Sequence, residues 1–299
     1  MKYVWLVLVL ALVALSACSS PTGNVVSDQS LEIKGSDTLL QVVSNLAEDF
    51  SSGSDVRLSV TGGGSGTGIA ALLNGEVDIA DSSRPIKEEE LAQGHSLGLD
   101  MVEVIVGRDM LSVIVNENNP VKRLSVDQVS RIYKGEITNW KEVGGLDQPI
   151  TLYGRQSSSG TYVFFLEEIV RGEYAASMRN LEGNQAILQA VTQDKSGIGY
   201  VGLGYVEDGQ GNIVSGITVL DIKSDGDYYS PLNKETLASY PISRALFQYL
   251  AKKPVAGSPL GDFIAFELSE RGQSIVESTG FVALTAQDRA ANEKALSSN

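Results

Sequence analysis

Three stretches of the sequence decide the fold: Gly35-Ser36-Asp37-Thr38-Leu39, Gly63-Gly64-Ser65-Gly66-Thr67-Gly68, and Arg155-Gln156-Ser157-Ser158-Ser159-Gly160-Thr161. Each is a turn rich in glycine, serine and threonine that follows a short strand-like run and precedes residues suited to a helix. Strands and helices therefore alternate along the chain, without a repeat of fixed period. This alternation predicts an α/β fold whose mainly parallel sheets are flanked by helices.

The same turns predict a binding chemistry. The N-terminus of a helix presents unpaired N–H groups and about half a positive charge, and glycines let an anion approach the backbone closely. Serine and threonine are also ordinary helix N-caps, so one such turn would decide little. Three of them in one chain, one with Arg155 ahead of its cap, favour an anion site where the turns converge.

Neither nucleotides nor nucleic acids are expected ligands. The glycine-rich loop lacks the Gly-Lys-Ser/Thr ending of a P-loop, and no Rossmann fingerprint lies between a strand and a helix. The formal net charge of −14 argues against nucleic acid. An acidic chain can still hold an anion in a closed cleft, because salt screens the global field over about 8–10 Å.

Apolar periodicity places the remaining elements. Residues 38–50 form an amphipathic helix, and Ser125 with Gln128 marks another helix start by a capping box. Further helices are expected near 65–73, 87–93, 159–170, 186–192 and 260–277, and strands at 31–34, 56–60, 77–80, 102–106, 111–115, 150–153, 197–201 and 217–220.

Two lobes with a ligand cleft between them are expected. One lobe comprises residues 31–115 and 241–290, and the other comprises residues 116–240. The predicted crossings are the break at Asn116–Pro120 and the extended apolar segment that begins at Tyr240.

The N-terminus predicts export and lipid anchoring. The apolar run Val4–Leu15 is too short to span the ~30 Å of membrane hydrocarbon. Leu15-Ser16-Ala17-Cys18 follows it and resembles a lipobox. Residues 1–17 are therefore expected to be a signal peptide, Cys18 the lipidated residue and residues 18–30 a flexible tether.

The predicted signal peptide and lipidated cysteine imply that the protein lies on the extracytoplasmic face of the cell envelope, held to a membrane through its lipid. An ordinary signal peptide with an incidental cysteine is the alternative. Cys18 is the only cysteine of the chain, so no internal disulfide is possible.

Five motifs together resemble those of a known family: Gly35–Leu39, Gly63–Gly68, Val77–Pro85, Gly135–Trp140 and Arg155–Thr161. In this order, over about residues 31–285, they look like the phosphate-binding proteins of the phosphate-specific (Pst) ABC transporter. The resemblance implies a type II periplasmic-binding-protein fold whose two lobes close on one dehydrated phosphate. It also implies a monomer that passes inorganic phosphate to ABC permease subunits and performs no catalysis.

The resemblance further implies a set of phosphate-binding residues. Thr38 matches a hydroxyl ligand and Leu39 a backbone N–H donor. The other matches are the loop serine Ser65, the single arginine Arg155, and the helix-start residues Ser159, Gly160 and Thr161.

One position departs from the pattern, because Ser83 stands where many relatives have an aspartate. This serine is expected to accept the ligand's proton less well, and so to reject sulfate less strictly. Asp37 and Asp81 are alternative acceptors. Ser36 and Arg84 are candidate extra contacts, although Arg84 equally suits a structural ion pair.

Three other functions compete with phosphate capture: binding of another tetrahedral oxyanion such as sulfate, an exported phosphatase with a serine nucleophile, and a surface sensor or adhesin. The phosphatase hypothesis lacks support, because the sequence has no Gly-x-Ser-x-Gly elbow. The single histidine, His95, lies in a predicted Gly/Ser loop. No Cys, His, Asp and Glu cluster has metal-ligand spacing. Neither a metal nor a cofactor is therefore predicted.

Overall fold

The computed structural model describes residues 29–207, 212–233 and 236–297. The predicted signal peptide, Cys18 and nearly all of the predicted tether lie outside these ranges. Within them, no helix combines the length and the apolar character that crossing a membrane requires.

The strands of the described residues are labelled in chain order: β1 (Ser30–Gly35), β2 (Arg57–Thr61), β3 (Ile79–Ser82), β4 (Val102–Met110), β5 (Ser112–Asn116), β6 (Arg123–Ser125), β7 (Thr151–Arg155), β8 (Arg179–Leu181), β9 (Gly197–Val201), β10 (Ile217–Val219), β11 (Asp221–Ser224), β12 (Asp227–Tyr229) and β13 (Ser243–Leu250).

The α-helices of the described residues are α1 (Leu40–Ser52), α2 (Ser65–Leu73), α3 (Glu88–Ser96), α4 (Val126–Tyr133), α5 (Gly160–Phe165), α6 (Gly183–Gln193), α7 (Pro259–Leu268), α8 (Glu270–Ser278) and α9 (Ala286–Ser297). Short 3₁₀-helices lie at Trp140–Val143, Leu203–Tyr205 and Leu237–Ser239, and a π-helix lies at Leu166–Val170.

Two five-stranded sheets form the centres of two lobes. The first sheet has the order β2-β1-β3-β13-β4 and the second has the order β10-β5-β9-β7-β8. A small third sheet, β12-β11-β6, is built from the same part of the chain as the second. Helices flank the sheets, as the alternation in the sequence predicts.

In each five-stranded sheet most strands run in the same direction, but one reversed strand lies between them and makes its pairings antiparallel. In the first sheet β1 pairs parallel with β2 and β3, whereas β13 is antiparallel to both of its neighbours. In the second sheet β5 is the reversed strand. Each reversed strand is the one by which the chain enters from the other lobe, and it lies inside the strand order. Half of the pairings are therefore antiparallel, although four of the five strands in each sheet run in the same direction, as the predicted α/β fold with mainly parallel sheets implies.

The predicted lobe division after residue 115 falls inside a strand. β5 pairs with β9 and β10 of the second sheet, so the chain leaves the first sheet at Leu111, directly after β4. β4 and β5 follow each other directly, and the sequence predicts each strand but not the sheet that it joins. The bounds of the two lobes stay a prediction.

Each sheet has its own hydrophobic core. In the first lobe, the apolar stripe of α1, which includes Val43 and Leu46, packs with residues of β1, β4 and α7. Phe263 is the residue from α7. In the second lobe, the ring of Phe165 stacks on Tyr200 with centroids 4.0 Å apart. Burial of such apolar surface is the main stabilising contribution in each lobe.

The capping box predicted at Ser125 is confirmed, since Gln128 N–H donates to Ser125 Oγ (3.0 Å) and Ser125 N–H donates to Gln128 Oε1 (2.8 Å). The helix predicted to run to residue 170 changes at Leu166 into a π-helix, which ends at Val170 and is followed by Arg171 with a positive φ of 53°. α9 was not expected from the sequence, because polar contacts such as the Arg108–Asp288 ion pair (2.7 Å) attach it.

Candidate anion-binding site

The first turn follows β1 and is folded by its own side chains. The Ser36 hydroxyl oxygen accepts a hydrogen bond from Thr38 N–H (3.2 Å), and Leu39 N–H donates to the Ser36 carbonyl oxygen (3.1 Å). Ser36 and Leu39 are both buried, so they shape the turn from within. The Thr38 hydroxyl is then presented at the start of α1.

The glycine-rich loop brings the two lobes to backbone contact. Gly64 has a φ of 95°, and a Cβ atom there would lie 2.6 Å from the Ser158 carbonyl oxygen. Gly66 N–H donates to this same oxygen at 3.0 Å. Glycine is needed at position 64 for both its conformation and its closeness to the other lobe.

The third turn starts α5 from the second lobe. Ser159 is its N-cap, and its hydroxyl oxygen accepts from Thr161 N–H at 3.2 Å. A Cβ atom on Gly160 would lie 2.3 Å from Ser65 Oγ and 2.8 Å from Ser83 Oγ. The N-terminal turn of this helix therefore faces the serines of the first lobe.

Four hydroxyl groups meet where these turns converge. Thr38 Oγ1 lies 3.0 Å from Thr161 Oγ1, and Ser83 Oγ lies 3.4 Å from Ser65 Oγ and 3.5 Å from Thr161 Oγ1. None of the four residues is more than 1% exposed. The site is thus enclosed between lobes that are in contact.

Arg155, at the end of β7, supplies a buried positive charge. Its Nη2 atom forms an ion pair with Asp37 Oδ2 (2.5 Å), while Nε and Nη1 are buried and have no hydrogen-bond partner among the described residues. Burial lowers the pKa of Arg155, and the Asp37 carboxylate offsets part of this lowering. A buried cation with unpartnered donors is a strong sign of an anion-binding function.

A second buried arginine reaches the hydroxyl groups and was not predicted as a site residue. Arg244, in β13, donates from Nη2 to Thr161 Oγ1 (3.0 Å) and pairs through Nη2 (2.7 Å) and Nε (3.1 Å) with Asp109. In the sequence Arg244 stands out as a charged residue inside a strand that is otherwise largely apolar. Asp109 stands out in the same way in β4.

Arg84 and Asp81 have partners away from the hydroxyl groups. Arg84 forms two hydrogen bonds to the Glu90 carboxylate (2.6 and 2.8 Å), which is the structural ion pair predicted as the alternative to a ligand contact. The Asp81 carboxylate accepts from Gln248 Nε2 at 3.1 Å. Of the two alternative proton acceptors, Asp37 is held by Arg155 and Asp81 faces the core.

Among the described residues, the histidine and the metal ligands that an enzyme could use for catalysis are not assembled at this site. His95 is exposed in α3 and not in a loop. Among the described residues, no group of three or more His, Cys, Asp and Glu side chains is placed to hold a metal ion. The site offers hydrogen-bond donors and two guanidinium charges, which suit binding of an oxyanion.

Comparison with known proteins agrees with this geometry. A family model described as the PBP superfamily domain matches residues 19–271. The chain is 32% identical to the phosphate-binding protein PstS of Staphylococcus epidermidis over 284 residues, which cover 91% of this chain and 86% of the relative. It is 30% identical to protein SphX of Synechococcus elongatus, over 89% of this chain and 80% of that protein.

Solved structures show the same likeness. One is a protein from Clostridium perfringens, assigned as a phosphate ABC transporter substrate-binding protein and solved with bound phosphate. It matches with a TM-score of 0.75 and 31% identity, over 86% of this chain and all of that one. An ABC-type phosphate transport receptor from Vibrio cholerae matches with a TM-score of 0.67 and 27% identity, over 85% of this chain and 100% of that one.

Proposed function

Because this chain belongs to the PstS-like phosphate-binding proteins of the PBP superfamily, we propose that it captures inorganic phosphate outside the cytoplasm and passes it to the permease of an ABC importer. The family consists of binding proteins, and the chain is not an enzyme. The proposed ligand contacts are those expected from the sequence: Thr38, Leu39, Ser65, Ser83, Arg155, Ser159, Gly160 and Thr161. The Leu39 N–H group, which donates to the Ser36 carbonyl oxygen (3.1 Å), would be shared between that oxygen and the ligand.

The observation that carries the proposal is the set of donors around the buried hydroxyl groups. Ser65 Oγ accepts from Ser83 N–H (3.1 Å), and Ser159 Oγ accepts from Thr161 N–H (3.2 Å). A hydroxyl oxygen that already accepts from an N–H group has its own proton available for a ligand. Together with the unpartnered Nε and Nη1 of Arg155, these protons would satisfy the oxygens of a dehydrated anion.

Sulfate remains the second candidate because of Ser83. Phosphate carries at least one proton near neutral pH and sulfate carries none, so a buried carboxylate would accept from phosphate and repel sulfate. The only group at position 83 is a hydroxyl, which can both donate and accept. A site built in this way would prefer phosphate but exclude sulfate less strictly than a site with an aspartate.

Titration calorimetry of the protein without its first 29 residues tests the proposal. We expect phosphate to bind at one site and sulfate to bind more weakly, yet to compete with phosphate when it is present in large excess. Absence of binding by phosphate, with the protein shown to be folded by its melting transition, would contradict the proposed function. Complete exclusion of sulfate would contradict only the role given to Ser83.

The lipid anchor is a separate part of the proposal and rests on the sequence Leu15-Ser16-Ala17-Cys18. Two or more acyl chains on Cys18 would hold the protein firmly at a membrane, whereas one chain binds only marginally. We expect Cys18→Ala to abolish labelling by a palmitate analogue and to move the exported protein from the membrane fraction to the soluble fraction. Ser19→Ala is the matched control, which should stay labelled and membrane-bound.

A further inference from the structure

Arg244 has more contacts with the site than a structural ion pair needs. Besides Asp109, it donates from Nη1 to the Ser83 carbonyl oxygen (2.9 Å) and from Nη2 to Thr161 Oγ1 (3.0 Å), with a longer contact to Thr38 Oγ1 (3.4 Å). Its side chain is 3% exposed. One guanidinium group thus touches hydroxyl groups from both lobes.

A comparable pair on the same strand shows what a purely structural role looks like. Arg108, one residue before Asp109 in β4, forms two hydrogen bonds to Asp288 (2.7 and 2.8 Å) and touches none of the site hydroxyl groups. Asp109 alone would satisfy the charge of Arg244 in the same way. The contacts of Arg244 with the two threonines therefore require another explanation.

Hydrogen-bond chemistry supplies that explanation. A guanidinium group can only donate, so a threonine oxygen that contacts Arg244 must accept. The hydroxyl proton of that threonine must then point away from Arg244. One of the two threonine protons lies between Thr38 Oγ1 and Thr161 Oγ1 (3.0 Å), and an anion bound between these hydroxyls would receive both protons. We infer that Arg244 is a positioning residue of the anion site, which holds the hydroxyls of Thr38 and Thr161 as donors.

This inference rests on the proposed function and concerns the choice between anions. Hydroxyls held as donors suit any tetrahedral oxyanion, with or without a proton. Without Arg244 these hydroxyls become free to rotate and accept, which helps only an anion with a proton to give. Arg244 therefore favours proton-free anions such as sulfate relative to phosphate, and Ser83 is left as the hydroxyl that can accept the proton of phosphate.

The test compares the ratio of sulfate to phosphate dissociation constants in calorimetry at one pH. The Arg244→Gln and Asp109→Asn double variant removes both charges and so avoids exposing an unpaired carboxylate to the ligand. We expect both anions to bind more weakly and the ratio to rise about tenfold, the value of one hydrogen bond to an ion. Arg244→Lys, which keeps a donor-only cation, should leave the ratio near the native one.

The matched control is the Arg108→Gln and Asp288→Asn double variant, which removes a similar pair outside the site and should leave the ratio unchanged. A native ratio in the Arg244→Gln and Asp109→Asn protein would overturn the inference. If the native protein does not bind phosphate, the proposed function itself is wrong, so the two failures are distinguishable.

Thr161→Val provides an independent readout if the double variant does not fold. A hydroxyl that only donates contributes equally to both anions, so we expect sulfate and phosphate affinities to fall by the same factor. A clearly larger loss for phosphate would show that the Thr161 hydroxyl accepts the proton of phosphate, and the inference would be wrong.

Discussion

Replacing Arg155 by alanine should cost the protein most of its affinity for phosphate. The guanidinium group is fully buried, Asp37 holds one of its ends, and its Nε and Nη1 donors have no partner among the described residues. Removing one member of a buried charge pair costs about 2–5 kcal/mol, or roughly a thirty-fold to several-thousand-fold increase in the dissociation constant. The loss combines missing donors with the Asp37 charge that stays behind.

Calorimetry with two further variants would separate these effects. Arg155→Lys keeps the charge but not the fork of donors, so its affinity should lie between those of the native protein and Arg155→Ala. Arg179→Ala is the matched control, because Arg179 lies on the neighbouring strand β8, opposite Tyr153 of β7, and is exposed. An Arg155→Ala protein that binds phosphate like the Arg179→Ala control would place Arg155 outside the site.

Local sequence was enough to predict the parts of the site that local structure builds. The turns at Gly35–Leu39 and Arg155–Thr161 each follow a strand and start a helix, and the structure confirms both helices within a few residues. Their convergence could be predicted too, because ligands bind at the carboxyl ends of strands in α/β folds. For these residues a short window of sequence contains the physical reasons for the structure.

The role of Arg244 could not be predicted in this way. Arg244 and Asp109 are opposite each other across the β13–β4 pairing, although they lie 135 positions apart in the sequence. Pairing of this kind depends on strand order and register, and a shift of one residue would turn both side chains to the other face. For the same reason the sequence does not predict the contact between Asp81 and Gln248, which are also opposite residues of paired strands.

The Asp81 contact leads to the other large expected effect, a loss of stability as the pH rises. Asp81, Gln248 and Glu267 are fully buried together, and Gln248 Nε2 donates to Asp81 Oδ1 (3.1 Å) and to Glu267 Oε1 (3.2 Å). Asp81 Oδ2, Glu267 Oε2 and Gln248 Oε1 have no partner among the described residues. Burial raises the pKa of Asp81 to about 8, and burial next to Asp81 raises the pKa of Glu267 as well.

Raised carboxyl pKa values have a definite sign for stability. Above its ordinary value of 3.8, the Asp81 carboxyl loses its proton in the unfolded chain but keeps it in the folded protein up to about pH 8. Unfolding therefore releases a proton throughout this range, and the free energy of unfolding falls as the pH rises. The difference between a pKa of 3.8 and one of about 8 corresponds to at most about 6 kcal/mol for Asp81. The Asp81 carbonyl oxygen also accepts Ser36 N–H (2.9 Å), so this cluster supports the first turn of the anion site.

Urea denaturation of the phosphate-free protein at several pH values between about 5 and 8 would measure this effect. Asp81→Asn has no proton to lose and can still accept from Gln248, so its stability relative to the native protein should increase steadily toward pH 8. Glu267→Gln should behave in the same direction. Glu48→Gln, at an exposed position of α1, is the control and should keep a constant difference from the native protein at every pH. If Asp81→Asn also keeps a constant difference, the buried carboxyl does not hold its proton in the folded state.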